Sequence, residues 1–244
     1  MTTGLPLDSA RLAWFLSAWL RGDVAPDDVL DAVVDQDAAH DVTGLDGPDS
    51  IPLVLALGRI RAAGAEFAGL ALPWPGTSAG LGGPPEFNAA ALEAGEAVVL
   101  SGAGLGLVPY RAGAGVVWRC LPADRRQLVD LGEADRMLRG SMAQTASALA
   151  VLDVARWRPE VADELINLTR RPTYAAPPGT PPRAVDLAGR AVQALGIVDL
   201  ALEDTGGART AYEIDERERA LRPLGDAARA ALVAACSPEC WPTA

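Results

Sequence analysis

The chain has no lysine: all 21 of its basic residues are arginine. That excludes chemistry resting on a lysine amine, such as Schiff-base catalysis or the phosphate-loop lysine. Arginine and alanine in lysine's place point to a GC-rich, bacterial coding sequence. Histidine is almost as scarce, with His40 the single example. A Ser–His–Asp or Cys–His hydrolase would have to use that one imidazole. It lies in a polar Ala- and Asp-rich stretch, so histidine-based acyl transfer is not expected. The three cysteines, Cys120, Cys236 and Cys240, are too few for a disulfide framework. No apolar run approaches the roughly 18–20 residues needed to cross a bilayer. No basic segment precedes the apolar residues of MTTGLPLDSARLAWFL, so a secretory leader is not expected either. These absences together lead to a cytoplasmic protein with no membrane partner.

Half of the 244 residues are hydrophobic, enough to bury a substantial core. The net charge is −11, and ten aspartates against Arg11 and Arg21 concentrate the excess in residues 1–50. Phosphate-backbone binding needs the opposite field, so nucleic acid is not an expected partner.

The longest helical pattern is Asp130–Arg156. Leu131, Ala134, Leu138, Met142, Thr145, Leu149 and Leu152 share one face of it. Before it, helices are expected over Leu7–Leu20, over Pro26 to about Ala39, and from a Ser50 cap to Gly64, with Leu53, Val54, Leu57 and Ile60 inward. Phe67–Leu72 reads as a buried strand. Trp74–Pro85, with three prolines and four glycines, reads as a loop. A short helix capped by Asn88 follows, then antiparallel strands over 97–101, 105–111 and 116–121. After the long helix come a helix from Pro159, a proline-rich linker over 172–182, a helix over 183–203, a short charged segment, and a last helix over 224–235. The expected fold is therefore α+β: N-terminal helices on a small mixed or antiparallel sheet (1–127), followed by a helical half (128–244), in one continuous core.

Five features bear on function. Asp35, Asp37, His40 and Asp41 have cation-ligand chemistry, but their spacing fits a solvated helix end better than a metal motif. Cys236 and Cys240 would need Cys120 and His40 to complete a zinc site, and nothing in the sequence brings the four together; a Cys236–Cys240 disulfide is the smaller alternative, and no metal or cofactor is expected. Gly102, Gly104 and Gly106 follow a strand, as in nucleotide-binding turns, but position 107 is leucine and a strand, not a helix, follows. Asp124 falls near the distance at which such folds place a ribose-binding acid. Arg156, Arg158, Arg170 and Arg171 form one arginine cluster and Arg217, Arg219 and Arg222 a second, both suited to carboxylates. The apolar loop residues Trp74, Leu81 and Phe87 are candidate partner contacts. With no catalytic constellation in view, the first expectation is a non-catalytic interaction protein that self-associates through its C-terminal helices. The alternative is a small-molecule or nucleotide-binding protein, or an enzyme, using the turn at 102–106. A cleft with polar groups beside that turn favours the alternative; a filled hairpin opposes it.

Overall fold

The computed structural model describes residues 4–45, 47–124, 126–151, 174–203 and 211–242. Among them the chain forms seven helices and a six-stranded mixed sheet, an α+β fold. The helices are α1 (Asp8–Arg21), α2 (Pro26–Val34), α3 (Leu53–Ala62), α4 (Pro85–Ala94), α5 (Leu131–Val151), α6 (Pro182–Glu203) and α7 (Ala211–Ala235). The strands are β1 (His40–Thr43), β2 (Ile51–Pro52), β3 (Phe67–Ala71), β4 (Ala97–Ser101), β5 (Leu105–Ala112) and β6 (Gly115–Pro122). Their order is β2-β1-β6-β5-β4-β3, with only β1 and β6 parallel. No described helix is long and apolar enough to cross a membrane.

Local chemistry sets most boundaries. Pro26 opens α2, and Asp28 reaches back to accept a hydrogen bond from the Ala25 N–H (2.7 Å). Gly22 closes α1 in the left-handed conformation, φ 88°. Asp130 caps α5 by accepting from the Gly132 and Glu133 N–H groups. Several expectations need correction. Neither Asp8 nor Ser9 caps α1; the Ser9 N–H donates to Glu96, from the far side of the chain (2.9 Å). Helix α2 stops at Val34, and His40–Thr43 forms a strand against β6. Ser50 bonds Asp41 rather than capping α3, and Val54 is 41% exposed while Ala56 is buried. Asn88 lies inside α4 and accepts from the Gly83 N–H. Pro223 does not separate two segments but sits within α7. In the 172–182 linker Tyr174 is buried, whereas Pro178, Gly179 and Pro182 are exposed. The helix expected from Pro159 lies outside the described residues.

One face of the sheet (Ala68, Leu70, Val98, Leu100, Leu107, Trp118) shares a single hydrophobic core with α1, α2, α3, α5, α6 and α7. Two tryptophans lock the end of α7 into it. Both Trp14 and Trp241 donate their indole N–H to the Ala235 carbonyl, one of the last-turn acceptors a helix leaves open. The other face carries a smaller cluster under α4, centred on the fully buried Phe87.

The outer edge of β3 is closed by side chains, which removes a template for strand addition. Ser17 Oγ donates to the Ala68 carbonyl and accepts from the Ala68 N–H. The Leu70 N–H reaches Ser237 Oγ and the Cys236 carbonyl, and Arg126 donates to the Leu70 carbonyl. At the opposite edge, β2 is two residues long and ends in proline, which blunts it.

Candidate functional site

A ten-residue helix is about 15 Å long, whereas six strands at their usual spacing extend about 24 Å. Helix α4 lies against β5 and β6, so the β3–β4 corner of that face is covered by side chains such as Arg126 rather than by a helix among the described residues. A cleft of about 1090 Å³ lies beside it. Phe67 and Val99 contribute its apolar surface, the β4–β5 hairpin (Ser101, Gly102, Gly104) one wall, and Asp124, Arg126, Gln127 and Glu239 the other.

The wall is held by Arg126, whose side chain is 1% exposed. All five of its N–H groups are engaged by protein acceptors. Nη1 donates to the Leu70 and Gly80 carbonyls, Nη2 to Ser237 Oγ (3.0 Å) and Glu239 Oε2 (2.8 Å), and Nε to Glu239 Oε1 (3.4 Å). Gly69 makes room for this: a Cβ there would sit 1.9 Å from Arg126 Nη2. Ser101 Oγ also donates to Glu239 (3.0 Å), tying the hairpin to the C-terminal 3-10 turn Pro238–Cys240. The carboxylates of Glu66 and Asp124 line the same cleft with no ion pair among the described residues.

Gly102 and Gly104 form the hairpin turn at the cleft wall, both at positive φ (91° and 65°). The chain continues as β5, so the helix N-terminus that phosphate binding draws on does not follow. Gly106 is separate from them. It lies on the α4 side of β5, where a Cβ would be 2.4 Å from Phe87. Asp124, noted only for its distance from the turn, shares the cleft with it. Glu66, Ser101, Arg126, Gln127 and Glu239 were not singled out by sequence reasoning, because their spacing in the chain carries no pattern.

At the other end of the sheet, Asp37 and His40 do come together, joined by Asp8 and Arg111. Trp118 Nε1–H donates to His40 Nδ1 (3.1 Å), so Nδ1 is the acceptor and Nε2 carries the proton donated to Asp37 Oδ2 (2.9 Å). The Arg111 guanidinium bridges Asp37 and Asp8. Asp8, Asp37 and His40 offer atoms within 4.8 Å of one another. Both imidazole nitrogens are engaged, however, and a guanidinium already supplies the positive charge. The arrangement suits an ion-pair network better than a metal ion. The hydrogen bond from His40, and then Arg111, holds the Asp37 carboxyl below its usual range, and Asp37 in turn raises Arg111. Asp41 bonds Ser50, and Asp35 takes Gln36 as its partner.

Among the described residues no candidate metal cluster includes a cysteine. All three cysteines are buried thiols outside any disulfide. Burial pushes the Cys236 thiol well above its ordinary value and the Cys240 thiol up to about 12. Protonated thiols are poor ligands and poor nucleophiles. Gly76–Gly80 has the G-x-S-x-G spacing of a nucleophile elbow, which sequence reasoning passed over. Ser78 lies on a loop between β3 and α4, without the strand-to-helix turn such an elbow requires, and His40 has no free nitrogen to serve it.

Of the candidate partner contacts, Phe87 is fully buried on the sheet and presents no surface. Leu81 packs against the same cluster. Trp74 is 46% exposed, with the Arg229 guanidinium 4.5 Å from its ring. Arg222 donates to the Pro75 carbonyl (3.0 Å). Arg156, Arg158, Arg170 and Arg171 lie outside the described residues.

Two family models cover the chain: Rv1486c-like protein, N-terminal domain, over residues 9–131, and Rv1486c-like protein, C-terminal domain, over 132–233. The chain belongs to the Rv1486c-like family. It is similar to protein Rv1486c of Mycobacterium tuberculosis, with 30% identity covering 96% of this chain and 98% of that protein. It is also similar to protein ML1804 of Mycobacterium leprae, with 26% identity and the same coverage. No solved structure matches. The two family models meet at the first turn of α5. All but one of the cleft residues fall within the N-terminal one, and Glu239 follows the C-terminal one.

Proposed function

We propose that this protein binds a small organic ligand in the cleft beside the Gly102–Gly104 hairpin. The observation that carries the reading is a hollow of about 1090 Å³ beside the β3–β4 corner of the sheet. Its buried arginine is fully engaged in holding the walls, while Glu66, Asp124 and the Gln127 side chain remain available to an occupant. Ligand sites of this kind combine an apolar floor with a few convergent polar groups. Native mass spectrometry of the purified chain, compared with its denatured mass, tests the proposal. A discrete mass increment that disappears in Gln127→Trp, an exposed position on the cleft wall, is the expected result. A bare chain that no compound in a ligand panel stabilises would sink it.

Self-association through the C-terminal helices is the second reading. Met137 on α5 is 45% exposed, and the space over Gly140 one turn later is open. The same spectra test it, since an oligomer appears at an integer multiple of the chain mass. The acidic balance, −11 overall, supports a cytoplasmic protein without a nucleic-acid partner.

A further inference from the structure

We infer that the ligand of this cleft is a cation, an aliphatic amine or guanidine whose charge is met by Glu66 and Asp124. This rests on the cleft being a binding site. Its lining carries three carboxylates, Glu66, Asp124 and Glu239, against one guanidinium. The guanidinium cannot serve an anion, because Arg126 already has five protein acceptors for its five N–H groups. Glu239 is neutralised by that same arginine. Among the described residues, Glu66 and Asp124 therefore stand at the cleft without a counter-charge, where low-dielectric walls focus their field on an incoming cation. No other basic side chain lines the cleft among the described residues.

The remaining surface defines the body of the ligand. Phe67, Val99 and Leu128 line the cleft between the polar groups, which suits an alkyl chain carrying a charged end. Gln127 adds an amide that can accept from an N–H donor or donate to a neutral oxygen. In the hairpin the Ala103 N–H is already bonded to the Leu100 carbonyl.

The test is calorimetric titration of the full-length chain with agmatine and spermidine, and separately with inorganic phosphate and AMP. Glu66 and Asp124 are exposed and form no ion pair among the described residues, so Glu66→Gln and Asp124→Asn leave the fold intact, as circular dichroism would verify. The amines are expected to bind, each single variant to weaken them about tenfold or more, and the double variant and Gln127→Trp to abolish binding. Affinity is also expected to fall as salt rises. Amine binding unchanged in the variants would place it elsewhere on the acidic surface and overturn the inference. Binding of phosphate or AMP instead of amines, lost in Gln127→Trp, would overturn the cationic assignment while leaving the cleft as a ligand site. Silence from all four probes, together with a bare native mass, would end both.

Discussion

On the face of the sheet that carries Leu70, Leu100 and Trp118, six helices contribute to one core. On the opposite face a single ten-residue helix covers β5 and β6, and the cleft lies beside the β3–β4 corner. Large side chains fill the first face. The second depends on close approach, with Phe87 over Gly106 and the Arg126 guanidinium over Gly69. The difference shows how a small domain keeps a cavity without unfolding around it. Arg126, Ser101, Ser237 and Glu239 satisfy one another along the cleft wall, while Glu66, Asp124 and Gln127 stay at its exposed rim.

Removing the clamp is the strongest way to break this contrast. Arg126→Met would remove the guanidinium donor from the Leu70 and Gly80 carbonyls and leave Glu239 with Ser101 but no counter-charge. Loss of one partner from a buried ion pair costs about 3–5 kcal/mol. Urea unfolding followed by circular dichroism would measure it; a loss well under 1 kcal/mol would mean the wall is held by something else. Phe87→Ala attacks the same face from α4. Truncating a fully buried phenylalanine costs about 3–5 kcal/mol, with the spread set by how far the face collapses, so its effect ranks just below. Gly106→Ala overpacks the site instead. A Cβ 2.4 Å from Phe87 forces the ring to move, a strain of about 1–3 kcal/mol. If Gly106→Ala is silent in the same unfolding experiment, the second face is looser than its packing indicates.

The helical half was legible because a 3.6-residue period is local. Leu131, Ala134 and Leu138 are each buried on α5, as their spacing implies. The antiparallel strands were legible from the glycine turns between them. Strand β1 was not: four residues, HDVT, form a strand only because β6, some 75 residues later, offers a parallel partner. Pro223 misled for the opposite reason. A proline inside a helix costs about 3 kcal/mol, a local signal to stop, but Leu221 and Leu224 are buried on either side of it and hold α7 together. The cleft shows the same limit. Its turn, Gly102–Gly104, could be read directly, and Asp124 was half seen. Glu66, Arg126 and Glu239 meet only through tertiary folding, and the clamp joins residues more than a hundred positions apart.

The smallest expected effects come from two carboxylates near the start of α1, and they have opposite signs. The hydrogen bond from His40 and the charge of Arg111 lower the Asp37 carboxyl. In the native state it therefore binds fewer protons than in the unfolded chain. Its contribution is present above the ordinary carboxylate range and is lost as pH falls through the depressed native value. Glu96 is raised by burial, with the Ser9 N–H opposing that shift. Its contribution is complete below the ordinary range and is lost as pH rises through the raised value. Asp37→Asn should flatten the acid limb of a stability–pH curve below about pH 4. Because the Arg111 side chain is 62% exposed, the loss at neutral pH should stay under about 1 kcal/mol and shrink further in salt. Glu96→Gln keeps an acceptor for Ser9 and removes the charge, so it should gain on the parent as pH climbs above the ordinary range. Thermal unfolding from pH 3 to pH 8 reads both slopes in one series. Parallel slopes in the two variants would show that the polar network around α1, unlike the Arg126 clamp, is too well solvated to set either carboxyl apart.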